Sequence, residues 1–440
     1  MRNLPRSLRG LIGDENGGMT VLGLYMGAGA MMVGGLAVDV GNLMATRTQL
    51  QVAADFTAHA ALYTREHESA ADAKTKAIAL AKKSFSDLVF GDYLTADNIK
   101  FGTYDKATQV FTVDETSKEA VYVQAERLTA KANPVASYLM QFVGFGQWDV
   151  ISPSVFETYV PWCLRDGWVA EGVVDSQSNN IFKDGFCIHS NDHVEVNNNG
   201  LYESGVVVSM PDKSTVIYPL PDGLISNVGL ADALTDDYMN LRILNQLEWI
   251  QKGLYDTQSD HFRSYISDIT PIQLSGGTYA GADFTQKNRI YKITCGKGKS
   301  KTLTLNLADT LSDVVIDTDC VIKFGNASIL INSVIFTTST DEKSITAPNG
   351  LQLGADDHCD PANGAQIVTY GGFEVASGLQ IYSSQVIAKG PIQFAAQADG
   401  VEGGSFISGK TIDGTSNTQM SHCANGMEEI FMVDLFRMAG

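Results

Sequence analysis

Hydrophobic and polar positions divide the chain into stretches of different period. Asn16 to Val38 carries no charge, and Met19 to Val38 alone is 20 residues. As a helix rising about 1.5 Å per residue, those residues cross the roughly 30 Å hydrocarbon core of a bilayer. A cleaved signal peptide has a shorter apolar region, about 7–15 residues, closed by a small-x-small site. The longer run and the unbroken helical pattern beyond it predict a retained transmembrane helix over 16–38, ahead of a cleaved signal or a buried core helix. Glycines at 23, 27, 29, 34 and 35 are better tolerated in a membrane helix than in water. Gly23-x-x-x-Gly27 is a small-xxx-small face that suits docking of a second membrane helix.

Beyond Val38 the helical period persists through Leu43, Leu50, Ala53, Ala54, Ala58 and Ala61. It resumes through Ala73, Ala77, Leu80, Ala81, Phe85 and Leu88 after the polar stretch TREHESAAD. Three alternating stretches follow, NIKFGTYD, QVFTVDE and AVYVQAERL, with a turn at Asp105-Lys-Ala-Thr. NPVASYLMQFVG predicts a short helix opened by Asn-Pro, and WDVISPSVFETYV a closing strand. Residues 39–160 therefore form a helical stalk and a small α+β module.

From residue 161 short apolar runs alternate with Gly, Asn and Asp corners, as in FCIHSNDHVEVNNNGLYESGVVVSMP with its turn at Asn197 to Gly200. Leu303, Leu305 and Leu307 share one strand face, and Ile322, Phe324, Ile329 and Ile331 continue the pattern. Strands spaced at about one coil predict a distal all-β domain, a right-handed parallel β-helix over 161–440, whose coils bury their inward residues only by stacking. A β-sandwich is the rival. Helical spacing at Leu241, Leu244, Leu247, Ile250 and Leu254 marks an insertion near 229–266, packed on the side of the domain.

Charge gives orientation. Arg2, Arg6 and Arg9 precede the apolar segment and the first cation after it is Arg47, so residues 1–15 are expected as a cytoplasmic tail and everything after Asp39 outside, in a bacterial periplasm or beyond. Residues 39–440 hold 28 basic and 48 acidic side chains, a balance that repels nucleic acid and anionic lipid and favours solubility. All six cysteines, Cys163, Cys187, Cys295, Cys320, Cys359 and Cys423, lie past the membrane segment. An even number in an oxidising compartment predicts up to three disulfides. Separations of 24 residues for Cys163 and Cys187 and 25 for Cys295 and Cys320 match one coil, which leaves Cys359 with Cys423.

Chemistry is sparse. Of the cluster His189, Asp192 and His193, strand alternation would put the two histidines on one face able to hold a transition metal, but two polar residues beside a turn explain them as well. Asp356 to Pro361 crowds acids, a histidine and a cysteine, and reads as a surface loop with a structural disulfide rather than a calcium site. No phosphate loop, His-Glu-x-x-His or Gly-x-Ser-x-Gly occurs. Acid pairs such as Asp313/Asp317 and Asp356/Asp357 are too scattered to define a lyase or hydrolase site. The expectation is no catalytic residue, no cofactor and no metal.

The ordered set of an apolar helix, the exit GLAVD and the helix Arg47-x-x-Leu50-Gln51-x-Ala53-Ala54-Asp55 resembles the N-terminal signature of TadG-like proteins of the tight-adherence (Flp) pilus system. KFGTYD, AVYVQAER, NPV and GFGQWDV extend the resemblance over roughly residues 10–155, about a third of the chain. Two features depart from related patterns. Were the chain processed after Gly18, the pilin glutamate position would be Gly23, and the von Willebrand A metal motif found in many relatives has only DGTSN, Asp413 to Asn417, as a stand-in near the end of the sequence. The resemblance implies a structural role as assembly factor or minor pilus component. Its partners would be other inner-membrane pilus assembly proteins or minor pilins, and the distal domain would serve adhesion, with a surface glycan as one ligand class. The alternatives are an anchored carbohydrate-binding or carbohydrate-cleaving β-helix protein, and a released surface-layer or matrix protein.

Overall fold

A computed structural model describes residues 17–183, 185–296, 301–360, 363–423 and 426–439. The arginines and acids of the N-terminal tail, with Asn16, lie outside the described residues. The described residues form two compact units, those up to 159 with those from 436 onward, and those within 160–435.

The first unit is built on helix α1, Gly17–Arg65. Its N-terminal half is apolar and exposed, with Met19, Leu24, Met31 and Val33 each more than 70% accessible. Among the described residues it is the one helix long and apolar enough to cross a membrane. From Leu50 onward the same helix buries a face of small residues, Ala53, Ala54, Ala58 and Ala61. Helix α2, Ala70–Ser84, meets it with Ala73, Ala77 and Ala81. Alanine on both sides lets the backbones approach closely at little cost in helix propensity. Ser69 caps α2 by accepting the Asp72 N–H.

Strands β1 (Ile99–Asp105), β2 (Val110–Val113) and β3 (Ala120–Arg127) are antiparallel, and the Asp105 carboxylate accepts the Ala107 and Thr108 N–H groups at the hairpin. Phe101, Val121 and Val123 face the helices in one core. The stretch predicted as a short helix is instead a small hairpin. Strands β4 (Val135–Ala136) and β5 (Gln147–Trp148) pair across a 3-10 turn at Met140–Val143. Pro134 biases its predecessor toward extended backbone, and Gly144, at φ +97°, ends the turn. Strand β6, Val150–Tyr159, completes the β2-β1-β3-β6 order, and the strand Leu435–Met438 lies beside it. Residues from 436 onward therefore belong to the first unit, which corrects the assignment of all of 161–440 to the distal domain; the strand of four residues, Leu435–Met438, is too short to show a period that would reveal that pairing.

The second unit is a parallel stack. One in-register ladder runs through Ile272, Tyr291, Ile316, Ile335, Ile367, Val386, Phe406, Trp168, Ile188, Val208 and Leu234. Their side chains enter one core, each fully buried one contributing about 1.5–3 kcal/mol relative to exposure. The ladder order is not the chain order. The layer at residue 167, first in sequence, pairs with the layer at 405, last in sequence. The chain enters mid-stack, runs to one end at residues 234–236, crosses back, and returns layer by layer from residue 268. Asparagine turns follow the same order. Asn199 donates to Asn179 and Asn179 to Asn417, all three at positive φ of 56–64°. The left-handed region costs asparagine less than other side chains.

The crossing segment, together with residues 431–433, covers the outer face of this ladder. Val169, Ile290, Val315, Val334, Val368, Ile387 and Ile407 point away from the core and are buried under Leu241, Leu244, Leu247, Ile250, Leu254, Phe431 and Val433. Two polar ties fix the cover. Asp317 accepts from Gln251 Nε2 and Tyr255 OH, each at 2.7 Å, and the Gln385 side chain bonds both backbone groups of Phe431. The covering residues at 242–253 form a 3-10 turn, Arg242–Asn245, and a short helix, Leu247–Gly253.

Candidate functional site

Asp39 is the first charged residue after the apolar half of α1, yet only 1% of its surface is accessible. Its carboxylate accepts four hydrogen bonds from the hairpin connection. They come from Ser137 Oγ at 2.7 Å and from the backbone N–H groups of Tyr138 (2.7 Å), Leu139 (2.9 Å) and Met140 (2.5 Å). Three N–H groups at the start of a 3-10 turn have no partner within the turn, and an acceptor-only carboxylate matches them. Burial pushes the Asp39 carboxyl up, but the bonds from Met140, Ser137, Tyr138 and Leu139 outweigh it and hold it down at about 2. Asn42 adds a weaker bond to the Ala136 carbonyl at 3.4 Å.

The clasp holds an apolar connection against the helix. The Leu139 side chain lies where a Cβ on Gly35 would stand, so glycine is what admits it. An apolar groove of about 620 Å³ opens between Met31, Met32 and Leu36 on α1 and Leu139, Met140 and Phe142 on the connection. Tyr138, Phe142 and Phe145 are 58%, 81% and 56% exposed. Sequence reasoning used Asp39 only as the end of the membrane segment. The available signal was the absence of any charge from Ala132 to Trp148, combined with four aromatic residues, Tyr138, Phe142, Phe145 and Trp148.

Gly23 and Gly27 lie on the exposed half of α1, with open space where a Cβ would be added to either. The cysteines are joined as Cys163–Cys187, Cys295–Cys320 and Cys359–Cys423, with Cα separations of 5.1, 5.3 and 5.7 Å. The two histidines have separate partners. His189 is fully buried, with Nδ1 at 2.7 Å from Ser209 Oγ and Nε2 at 2.9 Å from Asn191 Oδ1. Burial pushes its pKa down. His193 sits between Asp192 and Glu195; desolvation pulls its pKa down, but bonds to both carboxylates raise it overall. Asp356, His358 and Glu402 bring one ligand atom each within 4.8 Å of one another on the surface. Asp313 accepts from Asn332 Nδ2 and Asp317 holds the covering segment, so each has a structural task.

Two families match. Residues 17–73, the exposed helix and the alanine face that follows it, match the family described as putative Flp pilus-assembly TadE/G-like, in agreement with the TadG-like resemblance of the N-terminal region. Residues 167–424, more than half of the chain, match the domain of unknown function DUF7867, and the chain belongs to that family. No curated protein and no solved structure matches the chain. The TadE/G-like domain supports involvement in Flp pilus assembly, and with the apolar helix it fits a single-pass membrane anchor.

Proposed function

We propose that the protein is a membrane-anchored structural component of Flp pilus assembly, an assembly factor or minor pilus component. Its N-terminus faces the cytoplasm and its stack lies in the periplasm or at the surface. The observation that carries this reading is the TadE/G-like match on residues 17–73, which coincides with the long apolar helix. Three cysteine pairs in the second unit favour an oxidising compartment. Residues 167–424 act as a right-handed parallel β-helix, a reading supported by the eleven-residue ladder and its asparagine turns. This domain presents an adhesive or docking surface to another pilus protein or a surface glycan, and it has no catalytic role. A carbohydrate-cleaving groove on the covered face is disfavoured, because the chain's own residues 239–254 and 431–433 occupy it.

Deletion of the gene is expected to abolish pilus assembly or attachment, scored by electron microscopy and surface adhesion. Unchanged pili and attachment would overturn the proposal. Restoration by a chain whose α1 apolar half is replaced with a cleavable signal would remove the anchoring part of it.

A further inference from the structure

The connection from Tyr138 to Phe145 has the properties of a membrane-inserted element, and we infer that it is a second contact with the bilayer, a wedge seated in the outer interface beside α1 and taking phospholipid acyl chains into its groove. This rests on reading α1 as the membrane anchor.

Three independent observations carry it. The first is depth. Leu139 packs at Gly35, and the groove reaches Met31, eight residues before Asp39, or about 12 Å of helix rise into the apolar half. A connection that touches the helix there lies at the level of the helix's own lipid-facing residues. The second is composition. Ala132 to Trp148 has no charged residue, and its exposed large apolar side chains are Tyr138, Leu139, Phe142 and Phe145, with Gln141 and Gln147 as the exposed polar ones. Aromatic residues of this kind collect at membrane interfaces, and an exposed apolar patch in water would be an aggregation hazard. Phe145 also stacks on Trp148, with ring centroids 6.3 Å apart.

The third is backbone satisfaction. Non-helical backbone is tolerated at membrane depth only when its polar groups have partners inside the protein. Ser137 N–H goes to the Gly146 carbonyl, Phe142 to Leu139, Gly144 to Gln141 and Phe145 to Met140. The Gln141 side chain donates to the Tyr138 carbonyl. Of the donors that such a turn leaves open, those of Tyr138, Leu139 and Met140 are taken by Asp39. A loop in water needs none of this, because water supplies the missing partners. Asp39 is thus a positioning residue that presents the wedge.

The test uses the full-length protein, disulfides intact, reconstituted in phosphatidylcholine/phosphatidylglycerol vesicles that contain a phosphatidylcholine with a diazirine in its acyl chain. After irradiation, lipid adducts are mapped by mass spectrometry. Adducts are expected on residues 138–145 as well as on 19–38, with none on 110–113. That last segment precedes Glu115 and Thr116, whose carbonyls accept from Arg65 at the far end of α1. Adducts on 19–38 with none on 138–145 would overturn the wedge and leave the anchor standing; no adducts on either would overturn both. Substitution of Phe142 by a photoreactive benzoylphenylalanine gives a second readout. Crosslinks to lipid support the inference, and crosslinks to another protein in place of lipid overturn it.

Discussion

The two units bury their strands in different ways. The first has an antiparallel sheet with one face against helices, and its strand β1 buries Ile99, Phe101 and Gly102 but has no buried residue from Thr103 to the hairpin. The second has parallel strands such as Val314–Thr318, Ser333–Thr337 and Ala365–Thr369, in which every residue is buried. One face of those strands enters the core and the other lies under the chain's own crossing segment. All three cysteine pairs belong to the second unit. The first is organised by a helix and a carboxylate clasp, the second by a ladder whose layers are far apart in sequence. A local defect should therefore stay local in one unit and reach distant sequence in the other.

The largest expected effect tests the ladder. Trp168 is fully buried and meets Phe182, Phe186 and Phe394 edge-on, with centroids 5.7, 5.9 and 5.5 Å away. Trp168→Ala should cost about 3–5 kcal/mol, the usual range for an aromatic core truncation. Because Trp168 lies between Phe406 and Ile188, hydrogen exchange should rise both at 187–190 and at 404–408. Loss confined to the neighbourhood of 168 and 188 would mean that the 405 layer does not stack there, and the order of the stack would be wrong.

A smaller effect contrasts two buried aspartates. Asp39 has four hydrogen bonds. Asp166 in the second unit, also fully buried, has one long bond from the Cys423 N–H at 3.5 Å, and its other oxygen has no partner among the described residues. Burial pushes the Asp166 carboxyl up to about 6, and the Cys423 N–H, His422 and Arg165 offset only part of this. An unfolded aspartate titrates near 3.9. The neutral form therefore stabilises the folded state fully below about pH 4, and that contribution is lost as pH rises through about 6. Two pKa units amount to roughly 2–3 kcal/mol. Urea unfolding should give a second unit that weakens between pH 4 and 7, and Asp166→Asn should abolish that slope. An unchanged slope in the variant would assign the pH dependence elsewhere.

Legibility followed the range of the interactions. The membrane helix, the alanine face and strands β1 to β3 depend on period within a short window, and each stands out in the residues. Parallel pairing left a trace in the irregular spacing of apolar runs and Asn/Gly corners. The order of the layers left none, because nothing in the residues around Gly167 says that they pair with Ser405 as well as with Cys187. The hairpin at 135–148 was misread because Tyr138-Leu139-Met140-Gln141-Phe142-Val143 has helical spacing, while the feature that ends it, a carboxylate about 100 residues earlier, is not local. Asp39 was visible as a boundary and invisible as a ligand of backbone N–H groups.

The smallest effect on the whole molecule is the most specific one at the helix exit. Asp39→Asn keeps the shape but replaces one acceptor oxygen with an NH₂ donor, which then faces N–H groups that need acceptors. Backbone amides of Tyr138, Leu139 and Met140 should lose exchange protection, while those of β3, remote from the clasp, keep theirs. The wild-type carboxyl is held at about 2 against an unfolded value near 3.9. Its contribution is therefore present above about pH 4 and disappears as pH falls through about 2. Protection of the three amides in the wild type should fall toward that of the variant across this window, after correction for intrinsic exchange. The variant itself should show no such transition, since it has no group there to titrate. If the three amides stay protected in Asp39→Asn at neutral pH, the turn holds itself against α1 by Leu139 and Gly35 alone, and the clasp has no part in presenting the connection.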